Sequence, residues 1–178
     1  MHSACLARAW YRTKLGMAMA ERTPRQAECN VNLKSLYTGV MLGTQNTQGS
    51  ELTVSQINFS PERGNRYSYF LGKGPLEDRS GQQPQGSEQA QGVGVDTFRF
   101  PTMRVYTLED LPPEVTSQVG ISGTCPDCEF TVACAGDVDN NPNDTPDVWT
   151  ISNKDRIIDD QNVAAGQPYN HLNDITTD

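Results

Sequence analysis

Two cysteines, Cys125 and Cys128, stand three positions apart, a spacing that suits a disulfide, half of a zinc site or a redox centre. A thioredoxin-type redox pair needs a helix directly after it, whereas the residues that follow here have the composition of a strand. Zinc needs two further ligands, and the nearest candidate is Cys134. A structural disulfide is therefore the favoured interpretation, and every pairing among Cys125, Cys128 and Cys134 stays open.

A stretch rich in Asp and Asn follows these cysteines and offers several side-chain oxygens around a turn. Oxygen ligands suit Ca²⁺, which takes about six to eight of them. The EF-hand pattern is not met, because no Gly stands at the sixth position and no Glu at the twelfth. An ordinary turn, in which Asp and Asn bond to their own backbone, is the competing interpretation. Calcium is the one cofactor that the sequence suggests, and its candidate ligands are Asp137, Asp139, Asn141, Asp144 and Asp147.

The chain offers no recognisable catalytic constellation. It has neither a Gly-x-Ser-x-Gly motif nor a phosphate-binding glycine loop, and one of its two histidines is the second residue. Neighbouring aspartates such as Asp159 and Asp160 are more typical of a solvated surface than of acid–base catalysis. We therefore expect no enzymatic activity.

Composition and charge limit the possible partners. Only 35% of the residues are apolar, and the net charge is −8, with 14 basic against 22 acidic side chains. Nucleic-acid binding is not expected, because such affinity comes largely from neutralising phosphates. The basic residues are concentrated in residues 1–28 and the aspartates in residues 137–178. No run approaches the roughly 20 apolar residues of a membrane span, and the clustered cysteines favour an oxidising compartment.

One helix and several short strands must position these groups. Cys29, Leu33, Leu36 and Val40 recur at helical steps, which predicts a helix over residues 25–43. The runs that predict strands are 66–71, 97–100, 103–107, 129–135 and 148–151. Residues 72–95 are rich in Gly, Gln, Ser and Pro, and they predict a flexible surface loop. The fold class predicted is α+β, with one N-terminal helix packed on an antiparallel sheet.

Six segments occur in an order that carries a family resemblance. They are residues 28–37, 59–69, 96–100, 125–130 continuing into 135–140, 147–151 and 163–170. Together they resemble type IV pilins, and most closely the myxobacterial-type major pilins, over about residues 25–174. The resemblance implies that residues 25–43 form the C-terminal half of a spine helix and residues 44–178 a β-rich head. The helix would pack on the head through Leu33, Leu36, Tyr37 and Val40.

The resemblance implies a structural subunit of a surface filament, which serves motility, adhesion and DNA uptake. Its partners would be other pilin subunits and the pilus assembly machinery, and its location the cell surface, after a stage at the inner membrane or in the periplasm. One alternative is a minor pilin or a pseudopilin of a type II secretion or uptake system. Another, from a different class, is a CxxC metal-binding or redox protein.

The first 24 residues depart from the family pattern and predict a basic tail. Gly16, Met17 and Glu21 resemble the prepilin cleavage pattern, with glycine before the cut and glutamate at the fifth position after it. Arg22 and Arg25 follow, where the family has a hydrophobic span, and arginine is costly inside a membrane. We therefore interpret the cleavage pattern as a coincidence. We expect the chain as written to be a soluble head that does not polymerise by the usual route, with membrane contact only through a span missing from this sequence.

Overall fold

The computed structural model of the chain describes residues 3–46, 51–85, 88–141 and 145–174. The helices are α1 (Ser3–Asn46), a 3₁₀ turn (Leu108–Asp110) and α2 (Pro113–Gln118). The strands are β1 (Tyr67–Phe70), β2 (Leu76–Glu77), β3 (Gly92–Val93), β4 (Gly120–Ser122), β5 (Glu129–Gly136), β6 (Asp147–Ser152), β7 (Arg156–Ile158), β8 (Gln161–Val163) and β9 (Tyr169–Leu172).

Helix α1 buries one apolar stripe. Cys29, Leu33, Leu36 and Val40 are completely buried, whereas Val31 on another face is 68% exposed. Burying a side chain of the size of leucine contributes roughly 1.5–3 kcal/mol relative to leaving it in water. This stripe therefore holds the described second half of α1 against the part of the chain that follows it, which we call the head.

The predicted helix start at residue 25 differs from the structure, in which α1 runs from Ser3 to Asn46 and so includes most of the predicted tail. Residues 3–23 contain many Ala, Leu, Met and Arg residues, which have high helix propensity. They show no amphipathic period, so a search for periodicity overlooks them. Pro24 lies inside the helix. Among the described residues, no helix has both the length and the apolar content that a membrane crossing requires.

The head is built on a seven-stranded sheet with the order β2-β3-β1-β5-β6-β9, and β4 also pairs with β5. All of these pairs are antiparallel except β2 with β3, which is parallel. Strands β7 and β8 form a separate antiparallel hairpin. The architecture is thus α+β, with a mixed, mainly antiparallel sheet.

Both faces of the central strands are buried, because side chains along a strand alternate between the faces. Phe130, Val132 and Cys134 of β5 belong to the core cluster that includes the stripe of α1. Ala133 and Ala135 belong to a second cluster, which the segment containing the 3₁₀ turn and α2 covers. Helix α1 therefore packs on one face of the sheet and residues 106–119 on the other.

The predicted strands at 97–100 and 103–107 were wrong, and the predicted loop 72–95 includes two short strands. The runs 97–100 and 103–107 form turns and irregular structure, not strands. The segment 72–95 contains β2 and β3, and residues 86–87 lie outside its described part. Arg79 explains much of this order: its side chain is completely buried, and its guanidinium donates hydrogen bonds to Pro61 O (2.8 Å) and Asn65 Oδ1 (2.9 Å). One buried cation thus holds the described residues around it in a segment whose composition predicts a flexible loop.

Candidate functional site at the helix–head junction

A disulfide joins α1 covalently to the central strand of the head. It links Cys29 to Cys134, which are 105 positions apart, and both residues are completely buried. The sequence analysis placed Cys29 on the apolar helix face and sought the partner of Cys134 within the nearby cysteine cluster. The partner lies instead on α1, because strand β5 packs its Cys134 side directly against the helix.

The second disulfide joins Cys125 to Cys128 in the turn before β5. This is one of the three pairings that the sequence left open. Both residues are almost fully buried, with 3% and 4% of their surface exposed. A strand, β5, begins at Glu129 directly after the pair. The structure thus lacks the helix start that would lower a thiol pKa in a thioredoxin-type centre.

The packing residues predicted on α1 lie at this junction. Leu33, Leu36 and Val40 are fully buried in the cluster shared with the sheet, and Tyr37 is partly buried against it. The rings of Tyr37 and Phe130 have centroids 5.3 Å apart. Near its end the helix approaches the head closely at Gly43, where an added Cβ would lie 2.9 Å from Leu52 Cδ1. A larger residue there would require the side chains of Leu52 and Ile57 to shift.

Glu28, which is partly buried, is the first of two carboxylates at the junction. Its Oε1 accepts hydrogen bonds from the backbone N–H of Arg66 (2.9 Å) and from the hydroxyl of Tyr69 (3.1 Å). Asn32, one turn further along α1, donates to the same Tyr69 oxygen at 2.8 Å. Burial raises the pKa of Glu28, although these hydrogen bonds oppose the shift. Polar side chains of α1 therefore pair with strand β1 beside the disulfide.

Asp147, which is buried, is the second carboxylate, at the start of β6. Its Oδ2 accepts hydrogen bonds from Tyr67 (2.8 Å) and Trp149 (2.6 Å), and its Oδ1 from Gln26 of α1 (2.8 Å) and Asn170 (3.0 Å). Burial raises its pKa against these four donors. Asp147 thus joins α1 to three strands. This arrangement does not support the predicted calcium role of Asp147, because protein donors occupy both of its oxygens.

The remaining predicted calcium ligands form a compact turn next to the junction. Asp137 Oδ1 accepts backbone N–H groups of Asp139 (3.0 Å), Asn140 (2.5 Å) and Asn141 (3.2 Å), which is the geometry of an Asx-rich turn. Carboxylate oxygens of Asp137, Asp139 and Asp174 lie within 4.8 Å of one another. Burial raises the pKa of Asp137, and the charge of Asp139 adds to the shift.

Only some of the predicted calcium ligands therefore lie close together in the structure. Asp137, Asp139 and Asn141 share one turn, Asp147 is engaged elsewhere, and Asp144 lies outside the described residues. Asp174, which the sequence analysis did not consider, joins the turn and accepts the backbone N–H of Val138 at 2.7 Å. Calcium binding stays a prediction.

The residues of the cleavage-like pattern lie on α1. Gly16, Met17 and Glu21 fall within Ser3–Asn46, and their side chains lie outside the described part of the chain.

Sequence reasoning missed Cys29 as a disulfide partner and overlooked Gln26, Glu28 and Asn32. These polar residues lie close to the apolar stripe, on the part of α1 that faces the sheet. Their number near a predicted buried stripe was an available indication, because polar groups at such positions require hydrogen-bond partners.

Comparison with known proteins adds two findings. A family model described as type IV pilin PilA matches residues 20–145, which is more than half of the chain. The type IV major pilin protein PilA of Myxococcus xanthus (strain DK1622) is 29% identical over 177 aligned positions, which cover 86% of this chain and 79% of that protein. The family match begins within α1 and ends just after the acidic turn.

Proposed function

The chain belongs to the type IV pilin family, and from this premise we propose that it is a major structural subunit of a type IV pilus. The observation that carries the proposal is the attachment of α1 to the central strand β5 by the Cys29–Cys134 disulfide. A filament subunit must transmit force between its helix and its head, and a covalent bond at their interface serves this purpose. The similarity to a major pilin of Myxococcus xanthus supports the same assignment.

The buried polar contacts around the disulfide support a structural role as well. Glu28 and Asp147 accept hydrogen bonds from three strands and from α1 itself, and both are engaged by protein donors. Such a network fixes the orientation of the helix relative to the sheet. Its carboxylates hold the fold together at the interface of helix and head, and we assign them no catalytic role.

Motility and surface adhesion are the activities that we propose for the filament, with DNA uptake as a further one. The partners are other copies of this chain and the pilus assembly machinery, and the location is the cell surface after a stage at the inner membrane or in the periplasm. The surface that contacts external targets would be the head, because it carries the exposed loops and most of the negative charge.

Immunogold electron microscopy tests the proposal directly. Antibodies raised against the purified protein would be applied to filaments sheared from cells that carry the gene, with a deletion strain as control. We expect gold particles along the whole filament shaft, because a major subunit builds it. Labelling only at filament tips would instead assign the chain to the minor pilins. Filaments without label, together with normal piliation of the deletion strain, would contradict a pilus role.

A further inference from the structure

The head carries a cluster of arginines and phenylalanines that differs from its generally acidic surface. We call Arg63, Arg66, Phe98, Arg99 and Phe100 the basic–aromatic patch. The guanidinium of Arg63 lies over the ring of Phe98 at 5.6 Å, and that of Arg66 over the ring of Phe100 at 4.2 Å. Phe98 is 51% exposed despite its size. Such stacked arginines are enriched in protein interfaces, where their planar groups meet carboxylates.

Among the described residues, part of the positive charge of this patch makes no direct ion pair. Arg63 is paired with the buried Asp96. Arg66 donates only to neutral atoms, Asn140 Oδ1 at 3.1 Å and Met103 Sδ at 3.6 Å. Among the described residues neither Arg66 nor Arg99 has a carboxylate within 4.0 Å. The patch therefore offers the exposed Arg99 to an external anion, with the partly exposed Arg66, whose charge Glu28 and Asp137 partly offset, beside it.

An acidic hairpin lies elsewhere on the same head. It consists of β7, β8 and the two-residue turn between them, Asp159 and Asp160, which have φ values of 49° and 60°. A turn with positive φ at both positions usually carries Asn-Gly, so the two aspartates are an unusual and exposed choice. Ile157, next to the turn, is 76% exposed. The hairpin thus presents carboxylates beside an apolar side chain.

The strand pairing indicates that the basic–aromatic patch and the acidic hairpin are separate surfaces. Tyr67, next to the patch, pairs with Gly136, and Gly136 pairs with Asp147, so these residues mark one end of the sheet. The opposite end is marked by the pair Thr131 and Ser152, and β7 begins four residues after Ser152. About five residues of strand separate the two ends, or roughly 16 Å at 3.3 Å per residue.

We propose that the basic–aromatic patch of one subunit binds the acidic hairpin of a second copy of this chain. This inference rests on the proposed function, since it names the contact through which heads join in the filament. Two different surfaces of one head make a heterologous contact, and such contacts repeat into open helical assemblies when the rotation does not close. The opposite charges select the partner surface and fix the orientation of the contact. Phe98 and Ile157 supply apolar area at its centre.

Charge reversal in cells tests the contact. The variants Arg99→Glu and Asp160→Arg both change exposed side chains, and neither side chain has a hydrogen bond or ion pair to another described residue. We expect each variant alone to reduce the sheared filament fraction about tenfold, because like charges then face each other. The double variant restores the opposite charges in exchanged positions, and we expect it to recover most of the filaments. The matched control is Lys73→Glu, the same reversal at an exposed lysine outside the patch.

The possible outcomes separate the two proposals. If the wild-type chain is absent from filaments, the proposed function and this contact both fail. If wild type assembles and Arg99→Glu assembles as well as Lys73→Glu does, only the contact is refuted. Loss in both single variants without recovery in the double variant also contradicts it. Normal filaments that lose retention on DNA or heparin in Arg99→Glu would assign the patch to polyanions instead of a second subunit.

Discussion

The disulfide between α1 and β5 should contribute far more to stability than the one in the turn before β5. A crosslink restricts the unfolded chain, and the chain-entropy relation gives about 4.7 kcal/mol for a closed loop of about 100 residues. Cys29 and Cys134 are 105 positions apart. Cys125 and Cys128 are 3 positions apart, and the same relation gives about 1.9 kcal/mol for so short a loop.

The two double variants Cys29→Ala/Cys134→Ala and Cys125→Ala/Cys128→Ala form a matched pair, since each removes one disulfide and two sulfur atoms. We expect the first to lower the free energy of unfolding by about 5 kcal/mol and the second by about 2 kcal/mol. For a chain of this size the first loss corresponds to a fall in melting temperature of roughly 10–20 °C. Alanine is used instead of serine, because serine would leave a buried hydroxyl without a hydrogen-bond partner.

Urea unfolding of the purified protein measures both values. Tryptophan fluorescence is a suitable probe, because Trp149 donates a hydrogen bond to the buried Asp147 and exchanges that environment for water on unfolding. Circular dichroism of the helix provides a second probe and tests whether α1 and the head unfold together. Equal losses in the two double variants, or a loss below about 1 kcal/mol in Cys29→Ala/Cys134→Ala, would refute the argument from loop length.

Three further predictions concern the same junction. Leu33→Ala should lower the free energy of unfolding by about 2–5 kcal/mol, since the side chain is completely buried; a change near zero in urea unfolding would contradict its place in the core. Burial raises the pKa values of Glu28 and Asp147 above their unfolded values, so their stabilising effect is complete at low pH and is lost as pH rises through the raised folded pKa. The melting temperature should therefore increase when pH is lowered from 7 toward about 5, and Glu28→Gln should flatten this increase; a steady decrease over that interval would show the sign to be wrong. Calorimetric titration with Ca²⁺ tests the calcium hypothesis. We expect the heat of binding to persist in Asp147→Asn and to be lost in Asp139→Asn, because Asp139 lies in the acidic turn and Asp147 is engaged by Tyr67. The absence of heat in the wild-type chain would refute the hypothesis.

The pKa of Asp96 is shifted in the opposite direction to those of Glu28 and Asp147. Burial alone would raise the pKa of this carboxyl, but hydrogen bonds from Arg63, Gly64 and Arg99 outweigh that effect and leave its pKa below the usual value. Its contribution to stability is present above the unfolded pKa and is lost only in more acidic solution. His171, whose pKa burial lowers, acts against the increase between pH 7 and 5, so the difference between the wild-type chain and Glu28→Gln is the measure of the carboxyl effect.

The types and spacing of neighbouring residues predicted the helix and the strands that have a clear hydrophobic pattern. The spacing of Leu33, Leu36 and Val40 gave the buried stripe of α1, and aromatic or β-branched runs gave β1, β5 and β6 within one or two residues. These elements bury one or both faces, so their periodicity is strong. The first half of α1 lacks such a period, and its residues of high helix propensity are the sequence signal for it. Short strands such as β7 and β9 were missed because three or four residues are too few to show a period.

Tertiary contacts decided what the sequence left open. The partner of Cys134 depends on which helix residue the sheet approaches, and no spacing rule reaches across 105 positions. The buried Arg79 links the described residues around it to Pro61 and Asn65, which lie in an earlier loop. The calcium set was divided for a similar reason: Asp147 meets Tyr67 and Gln26 only once the sheet and α1 are packed together.

The position of Cys134 within the sheet has a mechanical consequence. Strand β5 pairs with three neighbours, β1, β4 and β6. A pull along α1 therefore passes through one covalent bond into the strand with the most lateral connections, and the load spreads over three hydrogen-bonded ladders at once. The helix cannot slide along the sheet without breaking that bond, so apolar packing does not have to resist shear. A head anchored in this way would keep its shape under tension until the disulfide itself is reduced.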